Sequence, residues 1–73
     1  MDSEPDLEID ALGLLCPLPV LRLKKRMQPL KSGACVRLLA DDPAALIDVP
    51  HFCAETGHRF VGVDGHAFTI EKA

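Results

Sequence analysis

The chain has no tryptophan and no tyrosine, and phenylalanine occurs three times in 73 residues. Its core must therefore be aliphatic, built from Leu, Val, Ile and Ala, which argues against a deep aromatic substrate pocket. No stretch approaches the roughly 18 to 20 apolar residues of a membrane span. The opening "MDSEPDLEID" is acidic where a secretory signal would be basic, so a soluble, unexported, cytoplasmic protein with no membrane partner is expected. Paired cysteines are missing too. Cys16, Cys35 and Cys53 are odd in number and contain no C-x-x-C, which makes a disulfide framework unexpected and leaves at least one thiol free. A basic excess is also lacking: 8 Lys and Arg stand against 11 Asp and Glu, a net charge of −3. That balance does not suit a sequence-independent grip on nucleic acid. Repeats, low-complexity runs and linkers are absent.

What is present bounds one compact domain, since a chain this short buries only about 60% of its unfolded surface and has no room for a second core. Residues 1–5 read as a flexible acidic tail and residues 6–73 as the domain. "LEIDAL" alternates Leu7, Ile9 and Ala11 against Glu8 and Asp10, the period of a half-buried strand. "PLPVLRLKKRMQPL" carries Val20, Leu23, Met27 and Leu30 at steps of three and four, an apolar stripe on a helix that should stop near Pro29. "ACVRLLA" suits an inner strand. "ADDPAALIDVPHFCAETGH" predicts a second helix, with Asp42 as N-cap, Pro43 at the first helical position and Gly57 as the C-terminal cap. Pro50 should kink that helix or split it in two, with Asp48 recapping the second piece. "HRFVGV" and "AFTIEK" flank Asp64-Gly65, a two-residue hairpin signal. The order β-α-β-α-β-β implies an α+β two-layer sandwich, with both helices on one face of a four-stranded mixed sheet.

The stretch "GLLCPLP" carries the candidate chemistry. Cys16 falls at the entrance to the first helix, as its N-cap, with Pro17 at the first helical position and Pro19 in the first turn, where neither proline costs an intrahelical bond. Thiolates at helix N-termini drop from a pKa of about 8.5 into the range of about 3.5 to 7.5, so a lowered Cys16 pKa is expected. Two readings stand side by side: a presented, reactive thiol that forms covalent adducts, and a small apolar side chain packed at a helix start.

"DALGLLCPLPVLRLKK", followed by "LADDPAALIDVPHFCAETGH", resembles the TusA/SirA-like family of small sulfur carriers over residues 7 to 72. The shared features are C-P-x-P at the first helix, the D-D-P entry to the second, the Asp48-Val49-Pro50 step and the Phe52-Cys53 pair. The resemblance implies that Cys16 carries a persulfide without metal or organic cofactor. It would take sulfur from a cysteine desulfurase or rhodanese-like donor and pass it to an acceptor protein in tRNA thiolation, molybdenum cofactor synthesis or sulfur metabolism. Pro17 and Pro19 match the motif prolines, and Gly13 matches the glycine of the approach loop. Leu15 stands where members often have a basic or polar residue, and His51 where glycine is common.

Arg22, Lys25 and Arg26 share one helix face within about 15 Å of Cys16 by helical rise. They read either as a solvated face or as a docking patch for acidic partners. An alternative function follows from the second reading: a non-catalytic interaction module with Cys16 incidental. A thiol redox sensor is a third option, disfavoured by the lack of a nearby resolving cysteine. Cys53 and Cys35 have core-like patterns. His51, Cys53 and His58 lack the paired spacing of a zinc site. A carrier that must expose its thiol is expected to be a monomer.

Overall fold

The computed structural model describes residues 4–73, so the first three residues of the expected acidic tail lie outside the described region. The elements are β1 (Leu7–Asp10), α1 (Leu18–Met27), β2 (Cys35–Leu39), α2 (Ala45–Thr56), β3 (Arg59–Asp64) and β4 (Ala67–Glu71). One four-stranded sheet has the order β1-β2-β4-β3. β1 lies parallel to β2, in the register Leu7 to Val36 and Ile9 to Leu38, and the other neighbours are antiparallel. This is the mixed sheet expected from the element order.

Alternation explains which face is covered. Ile9 of β1, Val36 and Leu38 of β2, and Phe68 and Ile70 of β4 are buried and share one cluster with Leu23 and Met27 of α1 and Val49, Phe52 and Cys53 of α2. The opposite face holds the outward residues, including Glu8 paired with Arg37 at 3.3 Å and Arg59 paired with Glu71 at 3.6 Å. Each of these pairs joins residues directly opposite across a strand pair. Such exposed cross-strand pairs contribute a fraction of a kcal/mol each, roughly 0.2–1.

Three local expectations shift. α2 begins at Ala45, two residues later than the Asp42 cap placed it, because Pro43 and Ala44 form a turn first and the entry is tightly wound: the amides of Ala45, Leu46 and Ile47 donate to the carbonyls of Asp42, Pro43 and Ala44, and the first i−4 bond is that of the Asp48 amide to Ala44. The helix is not split at Pro50; it runs unbroken through that residue to Thr56, and Asp48 lies within it rather than capping a second piece. The hairpin turn is Gly65-His66, since Asp64 pairs with Ala67, and Gly65 supplies the positive φ of 62° at the first central position.

Gly57 does end α2. Its φ is 84°, and its amide donates to the carbonyl of Cys53 at 2.9 Å. A Cβ there would meet no atom within 4 Å, so any penalty comes from the left-handed backbone alone. Gly57→Ala is expected to lower stability by about 1–2 kcal/mol and Gly57→Asn by less, checked by urea unfolding. Equal stability of the alanine variant and wild type would show that the left-handed cap contributes nothing.

Candidate functional site

The carboxyl ends of the parallel strands β1 and β2 open at the same end of the sheet, and each leads into a helix by a loop. The first of these loops, residues 11–17, carries Cys16, and the second, residues 40–44, ties it down. The amide of Cys16 donates to Asp42 Oδ2 at 2.6 Å, and the amide of Gly13 donates to Asp41 Oδ1 at 3.0 Å. Within the first loop, Asp10 Oδ1 accepts the Leu12 amide at 3.0 Å, and the carbonyl of Ala11 accepts the Leu14 amide at 3.2 Å. Gly13 meets this geometry with a φ of 81°, a left-handed conformation that other residues adopt only with strain. The Cys16–Pro17 peptide is cis.

α1 starts at Leu18, one residue later than the sequence reading placed it. Pro17 therefore occupies the cap position and Cys16 lies before it, while Pro19 is the second helical residue and is buried. Leu18, the first helical residue with an amide to offer, donates it to the Leu15 carbonyl at 2.8 Å.

The Cys16 thiol is exposed, which removes the reading of it as a packed core residue. It lines a shallow cavity of about 220 Å³ with Pro17 and Val20 from the first loop and α1, and Asp48, His51, Phe52 and Glu55 from α2. Its pKa is not lowered as expected but raised. The principal cause is a hydrogen bond to the Asp48 carboxylate, followed by desolvation and by the negative charges of Asp48 and Asp42. A carboxylate that accepts the thiol hydrogen favours the protonated form, and this outweighs a helix end whose first amide is already spent. No basic side chain lines the cavity to oppose it beyond His51, whose Nε2 lies 3.4 Å from Glu55.

Removing Asp48 should therefore make the thiol more acidic. The midpoint of iodoacetamide alkylation against pH is expected to fall in Asp48→Asn and to fall further in Asp48→Ala, which loses both the charge and the acceptor. An unchanged midpoint in Asp48→Ala would rule out this cause. The same linkage has a sign for folding. Because the folded-state pKa lies above the unfolded one, the native chain holds its proton more tightly. The resulting stability is fully present below the ordinary cysteine pKa and is lost as pH rises through the raised one.

Arg22, Lys25 and Arg26 line a second shallow groove, of about 480 Å³, with Leu14, Leu18 and Leu21. Arg22 also donates through Nη1 to the Asp10 carbonyl at 2.9 Å, at the end of β1, so part of its role is to hold the loop entrance. Exposed apolar side chains gather at this end of the molecule: Leu12, Leu15 (69% exposed), Leu18, Leu21, Leu46 and Ile47 (73% exposed) all lie in or next to the two loops, and only Val61 and Val63 lie elsewhere among the described residues. His51, Cys53 and His58 are not brought together. His51 is exposed, Cys53 is buried, and His58 packs its ring 5.7 Å from Phe52 and accepts the Ala73 amide through Nδ1.

Asp41, Asp42 and Asp48 are the site residues that sequence reasoning missed as such. Their signal lies in the D-D-P and Asp48-Val49-Pro50 matches, which taken locally indicate only helix punctuation.

A two-layer α+β domain that presents one exposed cysteine on a pinned corner between its two helices is the class that fold and site define. Within that class, residues 7–72 match the family model described as sulfurtransferase TusA, and the chain belongs to that family. A SirA-like protein from Desulfitobacterium hafniense, known from its crystal structure, is similar at a TM-score of 0.68 and 28% identity, over 89% of this chain and 92% of that one. No helix among the described residues is long and apolar enough to cross a membrane.

Proposed function

We propose that the protein is a sulfur carrier that accepts a sulfur atom as a persulfide on Cys16 and relays it to an acceptor protein. The observation that carries this reading is the isolation of one exposed thiol at the loop end of the sheet. Cys53 is buried, and Cys35 begins β2 at the opposite end, held to Asp6. A persulfide on Cys16 therefore has no internal thiol to collapse onto, and its outer sulfur leaves only to an incoming group. The exchange needs no metal or organic cofactor. The Cys16 sulfur bonds to the outer sulfur of a donor persulfide, the donor's S–S bond breaks, and the donor leaves as a thiol, with no net oxidation.

The donor would be a cysteine desulfurase or rhodanese-like protein. The acceptor would serve tRNA thiolation, molybdenum cofactor synthesis or sulfur metabolism in the cytoplasm. The exposed leucines around Cys16 and the basic face of α1 suit transient docking of a monomer, with charge setting the rate of encounter.

The test is to incubate the protein with a cysteine desulfurase and cysteine and to follow its intact mass. A gain of one sulfur, mapped to Cys16 by alkylation and peptide mass, is the expected result. No gain from desulfurase or rhodanese-type donors would end the proposal. The groove of Leu14, Leu18, Leu21, Arg22, Lys25 and Arg26 favours a second reading, a regulatory interaction module. That reading predicts that Cys16→Ala complements a deletion strain while charge reversal at Arg22, Lys25 and Arg26 does not.

A further inference from the structure

We propose that Asp48 is a catalytic residue of sulfur uptake, taking the Cys16 proton as the sulfur attacks its donor and returning it to the departing donor sulfur. This rests on the carrier reading. Asp48 is half-buried on α2 and lines the same small cavity as Cys16, and its carboxylate, acting as an acceptor, is the principal cause that raises the thiol pKa. The backbone that carries the sulfur is fixed beside this cavity, because the Cys16 amide is held by Asp42 at 2.6 Å. Three other titratable groups face the thiol. Asp42 already accepts two backbone amides, those of Cys16 and Ala44, while Glu55 and His51 face each other at 3.4 Å. Among the described residues, Asp48 is thus the carboxylate lining this cavity that is not engaged by a backbone amide or a histidine.

The chemistry requires such a group. A thiol held in its protonated form is a poor nucleophile, and its proton must leave as the sulfur electron pair forms the new bond. The step balances: the Cys16 S–H bond breaks toward Asp48, the bond from Cys16 sulfur to the outer donor sulfur forms, and the donor's S–S bond breaks. The donor thiolate then takes the proton from Asp48. No oxidant or reductant is consumed.

The sign of one substitution separates this role from simple charge repulsion. If Asp48 only suppressed the thiolate, its removal would speed sulfur uptake. If it accepts the proton, removal slows uptake even though the thiolate becomes more abundant. The experiment measures initial rates of mass gain from glutathione persulfide, alongside iodoacetamide alkylation, for wild type, Asp48→Asn and Asp48→Glu across a pH series. Asp48→Asn is expected to alkylate at least as fast as wild type at neutral pH yet to take up sulfur about 10²-fold more slowly, the low end of general-base effects. The deficit should shrink at alkaline pH, where the thiolate forms without help, and Asp48→Glu should recover part of the rate. Each variant must match the wild-type far-UV dichroism, and Asp48→Ser, which drops the carboxylate in a smaller volume, provides the same comparison if asparagine disrupts folding. Uptake by the carboxylate-free variants as fast as or faster than wild type would overturn the proposal. A wild type that takes up no sulfur at all overturns the carrier reading and this role with it, a result distinct from a rate that merely survives the substitution.

Discussion

Cys16→Ser is expected to abolish sulfur uptake to background while leaving stability within about 0.5 kcal/mol of wild type, as for other surface substitutions. The two halves of this expectation have different causes. Serine retains the size of the side chain but replaces the sulfur that must form the S–S bond, and a neutral hydroxyl has no comparable path to a persulfide. Stability is spared because the thiol is exposed and the loop is held through backbone amides, which serine also has. Cys53→Ser should do the reverse. Its hydroxyl would enter the buried cluster beside Phe52, where an unpaired polar group costs about 1–3 kcal/mol, yet loading on Cys16 should persist. Intact mass after desulfurase treatment and urea unfolding of both variants provide the readouts. Wild-type uptake by Cys16→Ser would remove Cys16 as the carrying residue.

The second large effect lies in the sheet. Phe68 is the largest of the fully buried side chains and sits opposite Leu38, between β2 and β3. Truncating a buried phenylalanine costs about 3–5 kcal/mol, combining lost transfer energy with the cavity left behind. A domain of 73 residues has about 4–11 kcal/mol of stability in total at roughly 0.05–0.15 kcal/mol per residue. Phe68→Ala should therefore use up a large share of it and shift the urea midpoint by about 2–5 M at a slope of roughly 1–1.5 kcal/mol/M. Phe68→Leu, closer in volume, should keep the fold at a smaller cost. A loss below about 1 kcal/mol in the alanine variant would mean that the core relaxes into the space, contrary to close packing around it.

The strand alternation of Leu7, Ile9 and Ala11 and the stripe of Leu23 and Met27 were legible because each follows from a local period that tertiary packing then satisfied. The left-handed cap at Gly57 was legible for a similar reason: its conformation is set by the residue itself. What escaped were contacts made across long sequence separations. Asp42 looks like a helix cap in isolation, and one of its oxygens does bind the nearby Ala44 amide at 3.2 Å; the other reaches Cys16, 26 residues away. Asp48 two residues before a proline reads as the start of a new helix. Only the continuous α2 shows that it faces the thiol. The expected acidity of Cys16 failed on the same point, since a helix end is visible in sequence but the carboxylate brought beside it is not. The resemblance to sulfur carriers was carried by the order of several short motifs, and the family match spans those residues.

The unequal placement of Cys16 and Cys53 has a practical consequence. With Cys16 blocked by a reversible label and the partly buried Cys35 replaced by serine, the remaining thiol is Cys53, which is 2% exposed and can react only when the chain opens. Its labelling rate divided by that of a fully accessible cysteine would then report the population of open molecules under native conditions. The carrier thus contains its own probe for rare fluctuations, readable by pulsed thiol chemistry in the absence of denaturant.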